Sequence, residues 1–345
     1  MNQARTEINV GLIGAGRIGT SHAQILAERV PGARLVMVAD PRLDAGDALA
    51  GRFGARSTTD PFELIDDAVV DAVVIAASAE AHSQLIIVAA GAGKPIFCEK
   101  PASLTLPDLD AALAAVAAAG VTLQVGFNRR FAADFRAAHD AIAAGAIGAL
   151  QLMRSLTRDP GLVNPDGVPP WTIFLQTLIH DFDTLLWLNP GAEPVEVYAT
   201  ADALVAPDYK ASGLLDTAVV VITFDNGARA VAEASFSATY GYDVRGEVFG
   251  SAGMVTAGDG ARTSMVLRNI TGAHQDTARG DVELLGAAYV AEFVEFVAAV
   301  REGRDPYVTG HDARRALAVA LACIESVKTN APVTVDTAVA SGTTV

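Results

Sequence analysis

The feature that most constrains the fold is a glycine-rich turn near the N-terminus. Gly14, Gly16 and Gly19 have the G-x-G-x-x-G spacing, follow an apolar run at 8–13 and open a helical pattern at 17–29. In such a unit the first glycine permits a tight turn, the second lets a pyrophosphate approach the backbone, and the third lets the helix pack on the strand. An ordinary glycine turn is the alternative, but the strand and helix on either side favour a dinucleotide-binding domain.

An acidic residue at the end of the second predicted strand indicates the kind of dinucleotide. Asp40 follows the run 34–39 and lies 21 residues after Gly19. A carboxylate there accepts hydrogen bonds from adenosine ribose hydroxyls and repels a 2′-phosphate, which favours NAD over NADP. Arg42 complicates this preference, because a nearby guanidinium accommodates that phosphate in some sites.

The first third of the chain alternates short apolar strands with helices. Strands are predicted at 8–13, 34–39, 71–76, 95–98 and 122–126, with helices at 17–29, 80–92 and 106–119. Continuous apolar strands joined by helices are typical of a parallel sheet covered on both faces. We therefore expect an α/β Rossmann domain, with a doubly wound parallel sheet, over residues 1–126.

The remainder, residues 127–345, has a different pattern. Alternating apolar and polar residues predict strands at 149–157, 194–203, 216–224, 228–236 and 243–250, and helices are predicted at 131–144, 173–188, 287–302 and 311–328. Turn signals such as GSAG at 250–253 separate some of the strands. We expect a C-terminal α+β domain with a large, mostly antiparallel open sheet. An open sheet with an apolar face needs covering, so we also expect a homodimer or homotetramer.

Composition excludes several classes of protein. Of the 345 residues 51% are hydrophobic, which is ample for two domains, and the net charge of −15 disfavours nucleic acid as a partner. No apolar run is long enough to span a bilayer, and the N-terminus lacks a signal-peptide pattern. Cys98 and Cys323 show no disulfide framework, and neither cysteines nor histidines have metal-ligand spacing. We expect a cytoplasmic protein without a metal or a membrane partner.

Two groups of polar residues are candidates for catalysis. Glu99 and Lys100 follow the strand 95–98 and so lie beside the expected nucleotide crevice, where a lysine can stabilise a developing alkoxide. Taken alone, they are better explained as a solvated pair at a strand end. Gln176, His180 and Asp183 share one face of the predicted helix 173–188, although a single histidine in such a helix is usually structural.

Other histidines receive plainer interpretations. His22 lies in the first predicted helix, and we expect it on that helix's surface or at its interface with the cofactor.

Several motifs occur in order along nearly the whole chain. They are GLIGAGRIG at 11–19, Asp40, AASAEAHSQL with His82, CEKP at 98–101, QVGFNRRF at 124–131 and IHDFD at 179–183. This series resembles the Gfo/Idh/MocA oxidoreductase family, and the stretches 216–228, 240–255 and 307–322 resemble its inositol 2-dehydrogenase branch. The resemblance implies NAD-dependent oxidation of a secondary hydroxyl on a cyclitol or sugar.

The resemblance also implies roles for individual residues. Lys100 would be the catalytic lysine and His180 the general base, with Gln176 beside it. The cofactor would contact Gly14, Gly16, Arg17, Ile18, Gly19, Asp40, Ser78, His82, Glu99, Lys100 and Asn128. The substrate would contact Lys100, Arg130, Arg158, His180, Asp183 and Tyr240, although a loop salt bridge explains Arg158 equally well.

One position departs from the family pattern. Dehydrogenases of this family usually carry Asp one helical turn before the histidine, where this chain has Gln176. Glutamine can orient the His180 ring but brings no charge, so the pKa of His180 lacks an upward push. Three explanations remain open: a retuned enzyme, a different substrate such as another sugar, sugar acid or glycoside, or a non-catalytic protein that senses NAD or a sugar.

Overall fold

The computed structural model describes residues 7–162 and 164–337. The prediction that the N-terminus is not a signal peptide concerns a segment that lies mostly outside these described residues. The described residues form two compact units. The first runs through Asn128 and includes Ala287–Arg314, and the second contains Arg129–Gly286 and the residues from Arg315 onward. Among the described helices, none is both long and apolar enough to cross a lipid bilayer.

The first unit is built on six parallel strands. Its elements are β1 (Ile8–Ile13), α1 (Arg17–Glu28), β2 (Ala33–Ala39), α2 (Leu43–Phe53), β3 (Arg56–Thr58), α3 (Pro61–Asp66), β4 (Ala72–Ile75), α4 (Ala79–Gly91), β5 (Ile96–Cys98), α5 (Leu106–Ala119) and β6 (Leu123–Val125). The strand order β3-β2-β1-β4-β5-β6 is that of a dinucleotide-binding sheet. Every residue of β4 and β5 is buried, as expected of central parallel strands. The predicted Rossmann fold is confirmed.

Local sequence signals set the ends of the helices. Thr105 caps α5, because its hydroxyl accepts the Asp108 N–H at 3.2 Å and donates to the Asp108 carboxylate at 2.7 Å. Gly120 ends the same helix in the left-handed conformation, with φ of 64°. The short β3 was not predicted, because its three residues are mostly exposed and form no apolar run.

The second unit contains a mixed sheet of seven strands. The elements that follow β6 are α6 (Ala133–Ala143), β7 (Leu150–Arg158), α7 (Ile179–Trp187), β8 (Pro194–Asp202), β9 (Thr217–Phe224), β10 (Arg229–Ser235), β11 (Asp243–Gly250), β12 (Gly253–Ala257), β13 (Ala261–Asn269), β14 (Gly272–Thr277), α8 (Asp281–Glu302), α9 (Gly310–Thr329) and β15 (Val333–Thr334). The sheet order is β12-β11-β7-β10-β9-β8-β15, and of these pairs β10 with β7 is parallel and the others are antiparallel. The predicted open, mostly antiparallel sheet is therefore confirmed.

The division between units differs from the predicted one in the C-terminal third. Residues 287–314 belong to the first unit, because they pair with its edge strand β6. Gln124 donates its side-chain amide to the Glu292 carbonyl at 2.8 Å, and the Val125 N–H is bonded to the Val308 carbonyl. A helical pattern in sequence indicates an apolar face but not the surface that covers it.

The predicted helix 173–188 is also not a uniform α-helix. Its first half, Ile173–Leu178, is a π-helix, and α7 begins only at Ile179. A π-helix bonds residue i to i+5, so the hydrogen-bonding register at Gln176 differs from the α-helical one assumed from the sequence. The β13–β14 hairpin was not predicted either, because almost all of its residues are exposed and show no buried face.

Candidate active site

The glycine-rich turn has the geometry that a dinucleotide requires. Gly14 has φ of +107°, and a Cβ at this position would lie 2.4 Å from the Ala76 carbonyl oxygen. A Cβ on Gly19 would lie 2.0 Å from the Gly14 carbonyl oxygen. Neither position tolerates a side chain, because each would collide with backbone. These two glycines therefore bring β1, α1 and the end of β4 into close contact.

The N-terminus of α1 remains open for a ligand. Gly16 is its N-cap residue and contributes no capping side chain. Apart from its two chain neighbours, no described residue has an atom within 4 Å of the place where a Cβ would stand. The first-turn N–H groups and the helix dipole favour an anion there. Arg17 is exposed and Ile18 is half-buried in this first turn. The residues present fit a dinucleotide pyrophosphate.

Asp40 is already engaged by its neighbours. One carboxylate oxygen accepts the Ala15 N–H at 2.7 Å, and the other accepts the Arg42 N–H at 2.9 Å. The Arg42 guanidinium lies against the same carboxylate, with Nε 3.1 Å from Oδ1. Burial alone would raise the pKa of Asp40, but these hydrogen bonds outweigh it and hold the pKa below its ordinary value. Asp40 is thus ionised, holds the glycine turn and restrains Arg42.

We expect the Asp40→Asn variant to lose most of its preference for NAD. The substitution removes the charge that repels a 2′-phosphate and frees Arg42 to attract it. The ratio of kcat/KM for NAD to that for NADP should fall about 100-fold, the size of one removed like-charge contact. Steady-state kinetics with both cofactors measure the ratio. Asp44→Asn, at an exposed position in the first turn of α2, is the matched control and should leave it unchanged.

The backbone on both sides of Lys100 is held by buried polar groups. Lys100 follows β5, and its N–H donates to the Glu99 carboxylate at 3.2 Å. The carbonyl of Pro101 lies 2.8 Å from His82 Nδ1, while His82 Nε2 lies 3.0 Å from the Ala77 carbonyl. Burial lowers the pKa of His82, so its ring is neutral and donates to one of these carbonyls. His82 therefore fixes the main chain, and its predicted contact with the cofactor stays a prediction.

Two further predicted cofactor residues belong to the first unit. Ser78 is the exposed N-cap of α4, and its side chain makes no capping hydrogen bond. Asn128 is 2% exposed, and its Oδ1 accepts no hydrogen bond from the residues that the structure describes. A buried acceptor of this kind needs a donor, which a bound cofactor can supply.

In the second unit, two of the predicted substrate residues pair with each other. Arg130 donates to Asp183 through Nε at 2.9 Å and through its terminal nitrogen at 2.6 Å. Both side chains are buried, and the guanidinium lies 5.8 Å from the centre of the Trp187 ring. The geometry is the two-pronged pairing that suits arginine and carboxylate. Their direct contact with substrate stays a prediction.

A neighbouring buried network was not identified from the sequence. Arg129 is 2% exposed and donates to Asp181 at 2.8 Å and to the Thr157 hydroxyl. Ser155 and Thr157 each donate a hydroxyl to the Asp181 carboxylate at 2.6 Å. The sequence did contain a signal, in the adjacent Arg129 and Arg130 and in the nearby Asp181 and Asp183. Each arginine, however, lies about fifty residues from the aspartate with which it pairs. This network ties α7 to β7.

His180 and Gln176 are the half-buried polar residues of this segment. His180 lies in the first turn of α7, and its carbonyl accepts the Thr184 hydroxyl at 2.7 Å. Gln176 lies in the preceding π-helix. π-helical turns inside α-helices are found frequently at functional sites. The location is consistent with a catalytic segment, while the roles of both residues stay predictions.

Arg158 and Tyr240 are brought together at one end of the sheet. Arg158 forms an ion pair with Glu233 and donates to the Tyr240 hydroxyl at 3.2 Å, and that hydroxyl donates to Asp243 at 2.7 Å. Tyr240 and Asp243 line a cavity of about 230 Å³. The salt-bridge alternative for Arg158 is thus observed, and a contact of Arg158 or Tyr240 with substrate stays a prediction.

Comparison with known proteins agrees with this geometry. Residues 8–127 match the model of an oxidoreductase family with an NAD-binding Rossmann fold, and residues 135–256 match the GFO/IDH/MocA C-terminal domain. The chain belongs to the Gfo/Idh/MocA oxidoreductase family. It is an NAD-dependent oxidoreductase, as predicted.

Several relatives are similar along nearly their whole length. Myo-inositol 2-dehydrogenase from Thermotoga maritima is 38% identical, over 93% of this chain and 96% of the relative. The NAD⁺-dependent scyllo-inositol 2-dehydrogenase of Bacillus subtilis is 35% identical, over 96% of this chain and 97% of the relative. The structure of Lactobacillus casei scyllo-inositol dehydrogenase with bound NAD(H) and scyllo-inositol superposes with a TM-score of 0.91 at 27% identity, covering 95% of this chain and 99% of that one.

Proposed function

We propose that this oxidoreductase oxidises a secondary hydroxyl group of a cyclitol, with NAD as the oxidant. The observation that carries the proposal is the similarity over more than nine tenths of the chain to relatives named for oxidising inositols. The glycine turn, the open N-terminus of α1 and the ionised Asp40 supply the cofactor half of such a site. The half-buried His180 and Lys100 supply groups able to move a proton and stabilise charge.

In the proposed mechanism, each reacting group has one task. His180 takes the proton of the substrate hydroxyl as general base. Lys100 donates a hydrogen bond to the same oxygen and stabilises its developing negative charge. The bound nicotinamide supplies the acceptor for the hydride that leaves the carbinol carbon.

The remaining polar groups would bind and orient the substrate. Asp183 and Arg130 form a rigid buried pair whose outer edge can meet hydroxyl groups, and Tyr240 and Arg158 offer a phenol and a guanidinium. Gln176 would orient the His180 ring without adding charge. Since a neutral neighbour does not favour imidazolium, His180 should act as a base at a lower pH than it would beside an aspartate.

The test is NAD⁺ reduction, followed by NADH absorbance, with myo-inositol, other inositol isomers and a panel of aldoses. Turnover with an inositol is the expected result and would show that glutamine replaces the usual aspartate. Turnover confined to an aldose, a sugar acid or a glycoside would assign another substrate class. Tight NADH binding without turnover on any polyol would favour the sensing function, which the charge-neutral Gln176 keeps open.

We also propose that the outer face of the large sheet joins copies of this chain. Strand register places Met254, Phe249 and Leu152 in one cross-strand row and Val221 and Tyr198 in the next. All five side chains are 39–51% exposed. An exposed cluster of apolar side chains on an open sheet is typical of a subunit interface. Homodimers or homotetramers would bury it.

Introducing charge on this face should dissociate the assembly. The double variant Leu152→Glu/Phe249→Glu places two carboxylates opposite each other on adjacent strands of this face, where burial without partners costs several kcal/mol. Sedimentation velocity should then give a monomer where the parent protein gives a dimer or tetramer. Phe62→Glu, an exposed apolar position in α3, controls for added charge. A monomeric parent protein would contradict the proposal.

Both cysteines are buried free thiols, and burial raises the pKa of each well above its ordinary value. Free thiols suit a reducing compartment, so we propose a cytoplasmic location.

A further inference from the structure

Three ionisable side chains meet in the core of the first unit. His22 on α1, Glu99 after β5 and Glu292 on α8 are 0%, 6% and 0% exposed, and their ligand-type atoms lie within 4.8 Å of one another. His22 Nε2 is 2.6 Å from Glu99 Oε1. We expected His22 on the surface of α1 or at its interface with the cofactor. The surface position was wrong, because the ring is fully enclosed.

The surroundings of this cluster are apolar. The His22 ring is packed among Phe293 at 4.8 Å, Tyr289 at 5.7 Å and Phe97 at 5.9 Å between ring centres. Neither carboxylate oxygen of Glu292 has a hydrogen-bond partner among residues 7–162 and 164–337. A buried carboxylate without donors costs several kcal/mol, so the ionised form of Glu292 is strongly disfavoured.

The charged groups around the cluster determine which of its two carboxyl groups is protonated. Glu99 is faced by His22 from α1, by His82 from α4, by Lys100 from its own segment and by Glu292 from α8. Burial and the neighbouring Glu99 raise the pKa of Glu292 well above its ordinary value. Burial also opposes ionisation of Glu99, but the hydrogen bond from His22 and the nearby Lys100 ammonium lower its pKa. Glu99 is therefore the ionised member of the carboxyl pair.

The distances favour hydrogen bonding over metal binding. In a tetrahedral zinc site with bonds of about 2.0–2.1 Å, two ligand atoms lie about 3.3 Å apart. The 2.6 Å between His22 Nε2 and Glu99 Oε1 is shorter than that and matches a charge-assisted hydrogen bond. His22 Nδ1 has no hydrogen-bond partner among the described residues, so the ring is held through Nε2.

We propose that His22, Glu99 and Glu292 form a buried ionisable cluster that positions Lys100, with Glu292 protonated and Glu99 ionised. Glu99 links the cluster to Lys100, because one of its carboxylate oxygens accepts a hydrogen bond from His22 and the other accepts one from the Lys100 N–H. The positioning role rests on the proposed function, since it matters only if Lys100 acts on substrate. The cluster residues are positioning residues, whose effect reaches the substrate through Lys100.

The protonation state can be measured without any enzymatic turnover. Infrared difference spectra of the parent protein against Glu292→Gln at neutral pH should show a protonated-carboxyl C=O band that the variant lacks. Glu302→Gln, an exposed position at the end of the same helix, should retain the band. A spectrum without this band, or a tightly held metal ion at one per chain by elemental analysis, would overturn the cluster.

Positioning is tested by removing and restoring the donor at residue 22. In His22→Leu, Glu99 loses its partner, so hydrogen exchange of the peptide containing Lys100 should accelerate at least tenfold. His22→Gln retains an N–H donor and should recover most of the protection. Equal exchange in both variants, or no change in either, would overturn the positioning role even if both proteins fold.

Kinetics then connect the cluster to activity. Displacing a catalytic group by about 1 Å can cost about 100-fold in rate, so kcat should fall by up to that factor in His22→Leu, with KM for NAD nearly unchanged and with recovery in His22→Gln. A loss confined to KM would contradict positioning. If the parent protein oxidises no polyol while the infrared and exchange results hold, the proposed function fails and the buried ionisable cluster stands.

Discussion

Replacing Lys100 with methionine is expected to lower kcat about 1000-fold, the upper end of what one preorganised charge-stabilising donor contributes. Methionine keeps the length of the side chain and removes the ammonium group. The affinity for NADH, measured by fluorescence titration, should stay within a few-fold, because the groups that we propose for cofactor binding, the glycine turn, α1 and Asp40, do not include the Lys100 ammonium. Loss of rate with retained binding identifies a group used in the transition state.

A control variant separates this effect from a general loss of lysine. Lys210 is 60% exposed and pairs with Asp202 at the surface, so Lys210→Met should leave kcat unchanged. Turnover of Lys100→Met within tenfold of the parent protein would remove Lys100 from the mechanism. A loss of NADH affinity as large as the loss of kcat would instead assign Lys100 to cofactor binding.

The second large effect concerns stability. Replacing Arg129 with methionine should lower the free energy of unfolding of the second unit by about 3–5 kcal/mol, because it leaves the Asp181 carboxylate buried with only two hydroxyl donors. Urea unfolding followed by tryptophan fluorescence is suitable, since Trp171 and Trp187 both belong to this unit.

A surface arginine provides the comparison. Arg154 is 51% exposed and pairs with Glu233, and exposed ion pairs contribute about 0–1 kcal/mol, so Arg154→Met should change stability little. The double variant Arg129→Met/Asp181→Leu removes both charges and should be more stable than Arg129→Met alone. Equal unfolding midpoints for Arg129→Met and Arg154→Met would contradict a buried, mutually dependent pair.

The parts of the fold that sequence predicted well are those specified locally. The glycine turn, the strand before it and Asp40 lie within about thirty residues and constrain each other, so the parallel sheet followed. The turn at 250–253 was equally local, and β11 pairs with β12 there. The placement of residues 287–314 in the first unit was not predictable in this way, because it depends on the edge of β6 being free to receive them.

The candidate site shows the same limit. Lys100 and His180 could be proposed from sequence because short motifs surround them, whereas the partners of Arg129 and Arg130 lie about fifty residues away and depend on tertiary packing. Glu292 did leave a signal, since it is one of two carboxylates, with Glu295, in the otherwise apolar run AAYVAEFVEF. A charge in such a run predicts a buried partner, but residue spacing alone does not identify that partner as Glu99 and His22.

The paired arginines also determine the rotational orientation of α7 about its own axis. Asp181 and Asp183 are two positions apart, so at about 100° per residue they project roughly 200° apart around the helix. One is held by Arg129 and the other by Arg130, and anchors on opposite sides prevent the helix from rolling. His180 directly precedes Asp181, so its angular setting is fixed from the buried side. In the proposed mechanism, residue 176 is therefore a position where the charge beside His180 can be exchanged during evolution or design without re-aiming the imidazole.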